Sequence, residues 1–529
     1  DAQESRGLGD VYKRQLHYPL SKMSAIVENT LFTQQNLTFD SNLLNTKLVP
    51  VPLTGDINFG ILDIKAILST MTQEILEILL TVDRSGSMTD ICSDGRTKMQ
   101  HIIHTMTNIV TYLRENPAIK AFITVDAFDD KTYRIVERTN ITEDNYKQII
   151  VKIDNITPAG STNIALALSN TRNTSAMLRQ QFPDHKQNHI FMTDGQITNG
   201  PNDIKTLIEL VDNEITNAFI GFGLDHDANL LNALSSGINS NYYFIDKLEN
   251  AGLVYGEILH GIVYRFLTDV VINVSGGLIY NFKTNEWASN LLVGEIVSES
   301  NKTFHIVTNN LEDCKVDIIC RRVSDGSEVN TVILKQDDTN LTNYVYRQRT
   351  QQLLYTVKDF IGNKSDIDNY LLSENEQKKN KEKKTELKTK MVEFLKELKK
   401  HMEENQLTDD PFYKNLCDDV YICLRTFETE HAAMFVTARA NTQGLQRAYN
   451  SNGIPDICAP RHHNIRRANA LNLCAVQDNY DDDEDEILHT VSDSVTTPYR
   501  SASQGAVMRS VSNNTGALSD DEETNSLPV

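Results

Sequence analysis

The sequence predicts a doubly wound α/β unit, with a flanking antiparallel β-sandwich and a C-terminal α-helical region. Three observations carry this. Between Glu74 and Leu267, short apolar runs alternate with stretches of helical period, as in a parallel sheet covered by crossover helices. Asp269 to Lys335 instead alternates short β-rich runs with turns, as antiparallel sandwiches do. From Tyr344 to Tyr449 apolar residues recur at helical spacing.

Composition sets the bounds. A chain of 529 residues, 40% of them hydrophobic, suffices for about three domains with a sizeable core. A net charge of -21 argues against general nucleic-acid binding, which needs clustered Lys and Arg. No apolar run is long enough to span a membrane. The seven cysteines are scattered and form no C-x-x-C. Their odd number and loose spacing favour reduced thiols and an intracellular, cytoplasmic setting.

Residues 1–22 are expected to be a non-native or disordered leader. Asp10 to Gln15 resembles a translated sequencing adaptor, and Met23 is the expected start. Residues 41–72 hold two β-like stretches, Lys47 to Val51 and Ile57 to Ile64, expected to pair with strands after Asp269. The α/β unit, residues 74–267, would then be inserted in the sandwich.

Within that unit Ile78 to Val82 is the first strand. Lys98 to Asn116 is an amphipathic helix with Met99, Ile102, Ile103, Met106, Ile109, Val110 and Leu113 on one stripe. Ala121 to Phe128 and Tyr133 to Glu137 form a hairpin. Thr142 to Asp154 is a helix with Thr142 as N-cap. Asn163 to Gln180, Asn202 to Asn213 and Asp227 to Ser236 are further helices, separated by the strands Ile190 to Thr193 and Ile215 to Phe222. Tyr242 to Ile245 is the last strand and Leu248 to Leu267 the closing helix. Residues 268–340 form the sandwich and 341–450 the helical region, where Leu387, Met391, Phe394, Leu395, Leu398 and Met402 share one stripe. Residues 451–529 are expected to be a disordered acidic tail, with runs at Asp481 to Glu486 and Ser519 to Glu523.

The candidate site starts where Ile78 to Val82 ends, in Asp83-Arg84-Ser85-Gly86-Ser87. One carboxylate and two hydroxyls at alternate positions of a tight turn can converge, and oxygen ligands suit a hard divalent cation such as magnesium. Alone the pattern is weak, because Asp, Ser and Gly also make ordinary turns. Two later loops strengthen it: Pro158 to Asn163, ahead of a helix, and Thr193-Asp194-Gly195, after a buried strand. All three lie beyond the carboxyl ends of strands, where doubly wound sheets bind ligands.

Here the sequence resembles the von Willebrand factor A domain family, whose metal-ion-dependent adhesion site (MIDAS) is D-x-S-x-S, then a Thr, then the Asp of T-D-G. The resemblance implies metal ligands at Asp83, Ser85, Ser87, Thr162 and Asp194, with Mg2+ or Mn2+ as the ion. It also implies one open position for an Asp or Glu of a protein partner. Arg84, Asp225, His226 and Asp227 are rim candidates for reading that partner. For Asp225 and Asp227 a helix cap is an equal alternative, and for Arg84 simple solvation is the alternative.

The helical region resembles the Vwaint-type extension of eukaryotic A-domain proteins. Those often carry a RING finger, for which this chain lacks the paired-Cys spacing. No catalytic constellation is visible, so the expected function is non-enzymatic, metal-dependent protein binding. The alternatives are a substrate adaptor in a ubiquitin-ligase pathway, or a structural protein of a large virus or protist. His101 with His104 reads as surface histidines rather than a zinc pair, and Cys458, His462, His463 and Cys474 fit no common finger.

Overall fold

The structure is a computed structural model that describes residues 32–40, 52–53, 55–68, 71, 74–92, 95–224, 226–333, 340–362, 374–451 and 496–512. In chain order, β1 (Phe32–Asp40) and β2 (Asn58–Ala66) precede the central unit. Its strands are β3 (Leu76–Asp83), β4 (Ala121–Phe128), β5 (Thr132–Asn140), β6 (Lys186–Thr193), β7 (Thr216–Phe222) and β8 (Ser240–Ile245). Its helices are α1 (Lys98–Glu115), α2 (Tyr146–Asp154), α3 (Ile164–Gln181), α4 (Ile204–Leu210), α5 (Ala228–Leu234) and α6 (Ala251–Val263). Then come β9 (Arg265–Ser275), β10 (Leu278–Asn281), β11 (Glu286–Ala288), β12 (Asn290–Val297), β13 (Asn301–Thr308), β14 (Lys315–Arg322) and β15 (Glu328–Ile333). The helices α7 (Thr342–Gly362), α8 (Glu374–Glu404), α9 (Pro411–Thr426), α10 (Ala432–Leu445) and α11 (Ala502–Ser512) follow.

The central sheet has the order β5-β4-β3-β6-β7-β8. Only β5 runs antiparallel to its neighbour. Every residue of β3 is buried, which is why Ile78 to Leu80 reads as an unbroken apolar run rather than an alternating one. One face packs on α1 and α6 through Ile78, Leu80, Ile109, Val254 and Leu259. The other packs on α3 to α5, and that core runs on without a break into α7 to α10. From β3 the chain first moves to β4 and later to β6 on the opposite side, so a crevice opens at its carboxyl end.

The sandwich consists of the sheets β1-β2-β13-β10-β11 and β12-β9-β14-β15. Leu37, Leu62 and Ile64 of one meet Val270, Ile272 and Ile318 of the other in a shared core. β2 pairs with β13 in an unbroken register, Ile64 opposite Lys302 and Gly60 opposite Ile306. The α/β unit therefore interrupts a sandwich whose strands come from both sides of it. Lys47 to Val51 lies outside the described residues.

Three expectations need correction. α2 starts at Tyr146, with Asn145 rather than Thr142 at the N-cap position, because Asn145 Oδ1 accepts from Thr142 N and folds that stretch into a turn. The closing helix ends at Val263, because Arg265 and Leu267 pair with Val297 and Ile296 as the start of β9. Part of the expected tail is ordered: α11 buries Val507, Met508 and Val511 in the core beneath α6. Both acidic runs lie outside the described residues.

Candidate metal centre

β3 delivers Asp83 to the crevice, and a single 3-10 turn, Gly86–Thr89, carries the chain past Ser85 and Ser87. Asp83 Oδ1 accepts from Ser85 N at 2.8 Å, so the carboxylate itself shapes the turn. Its Oδ2 accepts from Thr193 Oγ1 at 2.6 Å, joining β3 to the end of β6. Ser87 Oγ donates to Asp194 Oδ1 at 2.9 Å and lies 3.1 Å from Ser85 Oγ.

Backbone bonds tie in the third loop. Gly86 N donates to Gly160 O and Ala159 N to Arg84 O. Thr162 N donates to Thr198 Oγ1 at 2.8 Å, while Thr162 O accepts from the amides of Thr198 and Asn199. Gly160 sits at φ +75°, where a side chain would also strike Asp129 and Asp130.

The five predicted side chains therefore converge. A methyl group added at Gly195 would stand 3.4 Å from Thr162 Oγ1, 3.8 Å from Ser87 Oγ and 4.0 Å from Asp83 Oδ2. Asp83 and Asp194 are fully buried, and Ser85 and Thr162 nearly so. Burial pushes the Asp83 carboxyl up to about 6, with the Asp194 charge adding to the rise against the hydrogen bonds from Thr193 and Ser85. Two carboxylates and three hydroxyls around one point suit a hard cation. Among the described residues no group of three or more His, Cys, Asp or Glu gathers as a metal site, so the centre would rest on hydroxyls beside its two carboxylates.

Lys98 was not singled out by the sequence. It is the first residue of α1, behind the Thr97–Gln100 capping box. Its Nζ lies 2.8 Å from Asp194 Oδ2 and 3.0 Å from Asp90 Oδ2. Thr193 and Thr198 were missed as well. Thr193 was visible inside the T-D-G triplet, whereas Thr198 had no sequence signal beyond its hydroxyl.

The rim candidates fare differently. His226 is buried, its Nε2 2.6 Å from Tyr242 Oη and its Nδ1 2.9 Å from Gly223 O, so it stands in the core and not on a rim. Asp227 caps α5 by accepting from Leu230 N at 2.9 Å. Arg84 turns to Asp129, 3.3 Å away, and over the Tyr133 ring, instead of standing free in solvent. Asp225, Cys458, His462, His463 and Cys474 lie outside the described residues. His101 is buried, which corrects its reading as a surface residue.

Residues 77–256 match the von Willebrand factor type A domain family model. Among solved structures, the ArnB paralog VWA2 from Sulfolobus acidocaldarius is similar at 11% identity and TM-score 0.45, covering 78% of this chain and 99% of its own. A von Willebrand factor type A protein from Catenulispora acidiphila is similar at 13% identity and TM-score 0.43, covering 63% and 82%. Proximal thread matrix protein 1 from the mussel byssus, with a zinc-occupied MIDAS motif, is similar at 18% identity and TM-score 0.29, covering 34% and 46%. The comparison with curated proteins returns no match.

Proposed function

We propose that the von Willebrand factor type A domain of this chain is a protein-interaction module that holds Mg2+ or Mn2+ and takes an Asp or Glu of its partner. Ser85, Ser87 and Thr162 would hold the ion through hydroxyls, with Asp83 and Asp194 supplying the negative charge. The bound cation supplies a Lewis-acidic position for a carboxylate. The supporting observation is the convergence of these oxygens from three loops at the carboxyl end of β3. Neutral hydroxyls donate less charge than carboxylates, and Lys98 already shares Asp194. Both leave more of the ion's charge for a visiting acid, which the acidic surface of this chain would otherwise repel. No comparison favours the ubiquitin-adaptor reading.

The test is calorimetry of the whole chain. The expected result is saturable uptake of Mn2+ that Asp83→Ala abolishes, followed by binding of an Asp-containing peptide but not its Asn counterpart to the loaded protein. Absence of metal uptake by the unaltered chain would defeat the reading.

A further inference from the structure

A cavity of about 150 Å3 lies where the sandwich, the central sheet and the C-terminal helices meet. Its walls include Lys302 of β13, Arg347 and Gln351 of α7, and Asn239 just before β8. Arg347 is only 1% exposed. Its guanidinium donates to Thr303 O at 3.0 Å and Gln443 O at 2.8 Å and lies 3.3 Å from His305 Nε2, and among the described residues its buried Nε has no partner. Lys302 donates to Leu445 O and Gln446 O. Arg447, beside the same junction, donates to Tyr242 O and lies over the Tyr243 ring, and its buried Nη2 has no partner among the described residues.

Cations withdrawn from water are costly unless paired with a carboxylate or another anion. Among the described residues none of these three forms a salt bridge; the ion pairs nearby run between Arg265, Lys186, Glu74 and Glu295. Glu295, which also lines the cavity, is neutralised by Arg265 and Lys186. Glu257 acts on Arg447 and on the Lys302 ammonium from further away, yet burial, with the charges of Arg347 and Arg447, still pushes the Lys302 ammonium down to about 8. The junction thus carries excess positive charge inside a chain of net charge -21.

We propose that this cavity binds a small phosphate-type oxyanion, held between Lys302 and Arg347 with Arg447 adding to the field. Charge-assisted hydrogen bonds from ammonium and guanidinium to such an oxyanion are strong and would offset the burial. Gln351 Oε1 and Asn239 Oδ1 are buried acceptors without donors among the described residues. Hydrogen phosphate brings acceptor oxygens and an O–H together, so it can serve both kinds of group, which chloride cannot.

The experiment titrates the whole chain with inorganic phosphate by calorimetry, at constant ionic strength maintained with chloride. The expected result is saturable one-site binding and a melting temperature that rises with phosphate. Lys302→Gln keeps a donor for Leu445 O and Gln446 O but removes the charge, and should weaken binding at least tenfold. Mn2+ uptake, which depends on Asp83 and not on this cavity, should be unchanged in that variant and reports that it is folded. The proposal is overturned if the unaltered chain shows no saturable binding at millimolar phosphate, which would mean a cavity filled by water. Equal stabilisation by chloride, or wild-type affinity in folded Lys302→Gln, would overturn it too.

Discussion

At the scale of single residues, Lys98 decides how the metal centre is balanced. An ammonium 2.8 Å from Asp194 competes with a divalent ion for the same carboxylate. Lys98→Met should therefore bind Mn2+ roughly tenfold more tightly, about 1.4 kcal/mol, while the loaded site binds the acidic peptide less well. Calorimetry of both steps checks this, and weaker metal binding in the variant would refute it. His189 offers a second prediction. It is buried between Asn217 and Thr81, and burial lowers its pKa from 6.5 to about 4. The unfolded chain takes up the proton and the folded chain does not. His189 thus contributes its full stability above pH 6.5, and loses it as pH falls towards 4, by roughly 3 kcal/mol. Asp83, whose pKa is raised, contributes with the opposite sign. Comparing urea unfolding of wild type and His189→Asn across that range isolates the histidine, and the variant should show the shallower loss.

At the scale of elements, α11 depends on two glycines of α6. A Cβ at Gly256 would stand 2.5 Å from Met508 Cα, and one at Gly252 would stand 2.9 Å from Ser512 Cα. The helices can meet this closely only because no side chain intervenes. Gly256→Val should lift α11, cost about 1–3 kcal/mol and speed hydrogen exchange across 502–512. Unchanged exchange there would count against the packing. The element was illegible in the sequence because Ala502 to Ser512 is mostly small and polar, and three apolar residues larger than alanine give no pattern until a partner face is known. By contrast α8 was plain, since its stripe from Leu387 to Met402 is buried throughout.

At the scale of the molecule, one buried guanidinium joins the inserted unit to the sandwich. Arg265, fully buried at the start of β9, bonds Glu74 ahead of β3 and Glu295 of β12, and Glu295 also reaches Lys186 of β6. Removing it leaves two sheltered carboxylates short of a partner. Arg265→Met should cost about 3 kcal/mol and separate the unfolding of the two parts into distinct calorimetric transitions. A single transition at the original temperature would show that the junction is held elsewhere.

The fold class was legible in the sequence because strand and helix periods are local properties: each run must match the face it buries. That three loops meet at one end of the sheet was legible too, since parallel strands deliver successive loops there, and the resemblance to the A-domain family picked out Asp83, Ser85, Ser87, Thr162 and Asp194 within them. Other features depended on residues far apart in the chain. Nothing near Lys98 announces Asp194, nothing near His226 announces Tyr242, and nothing near Lys302 announces Arg347. Those relations arise only when separate elements pack, because charge balance and burial belong to the space between chain segments and not to any one of them.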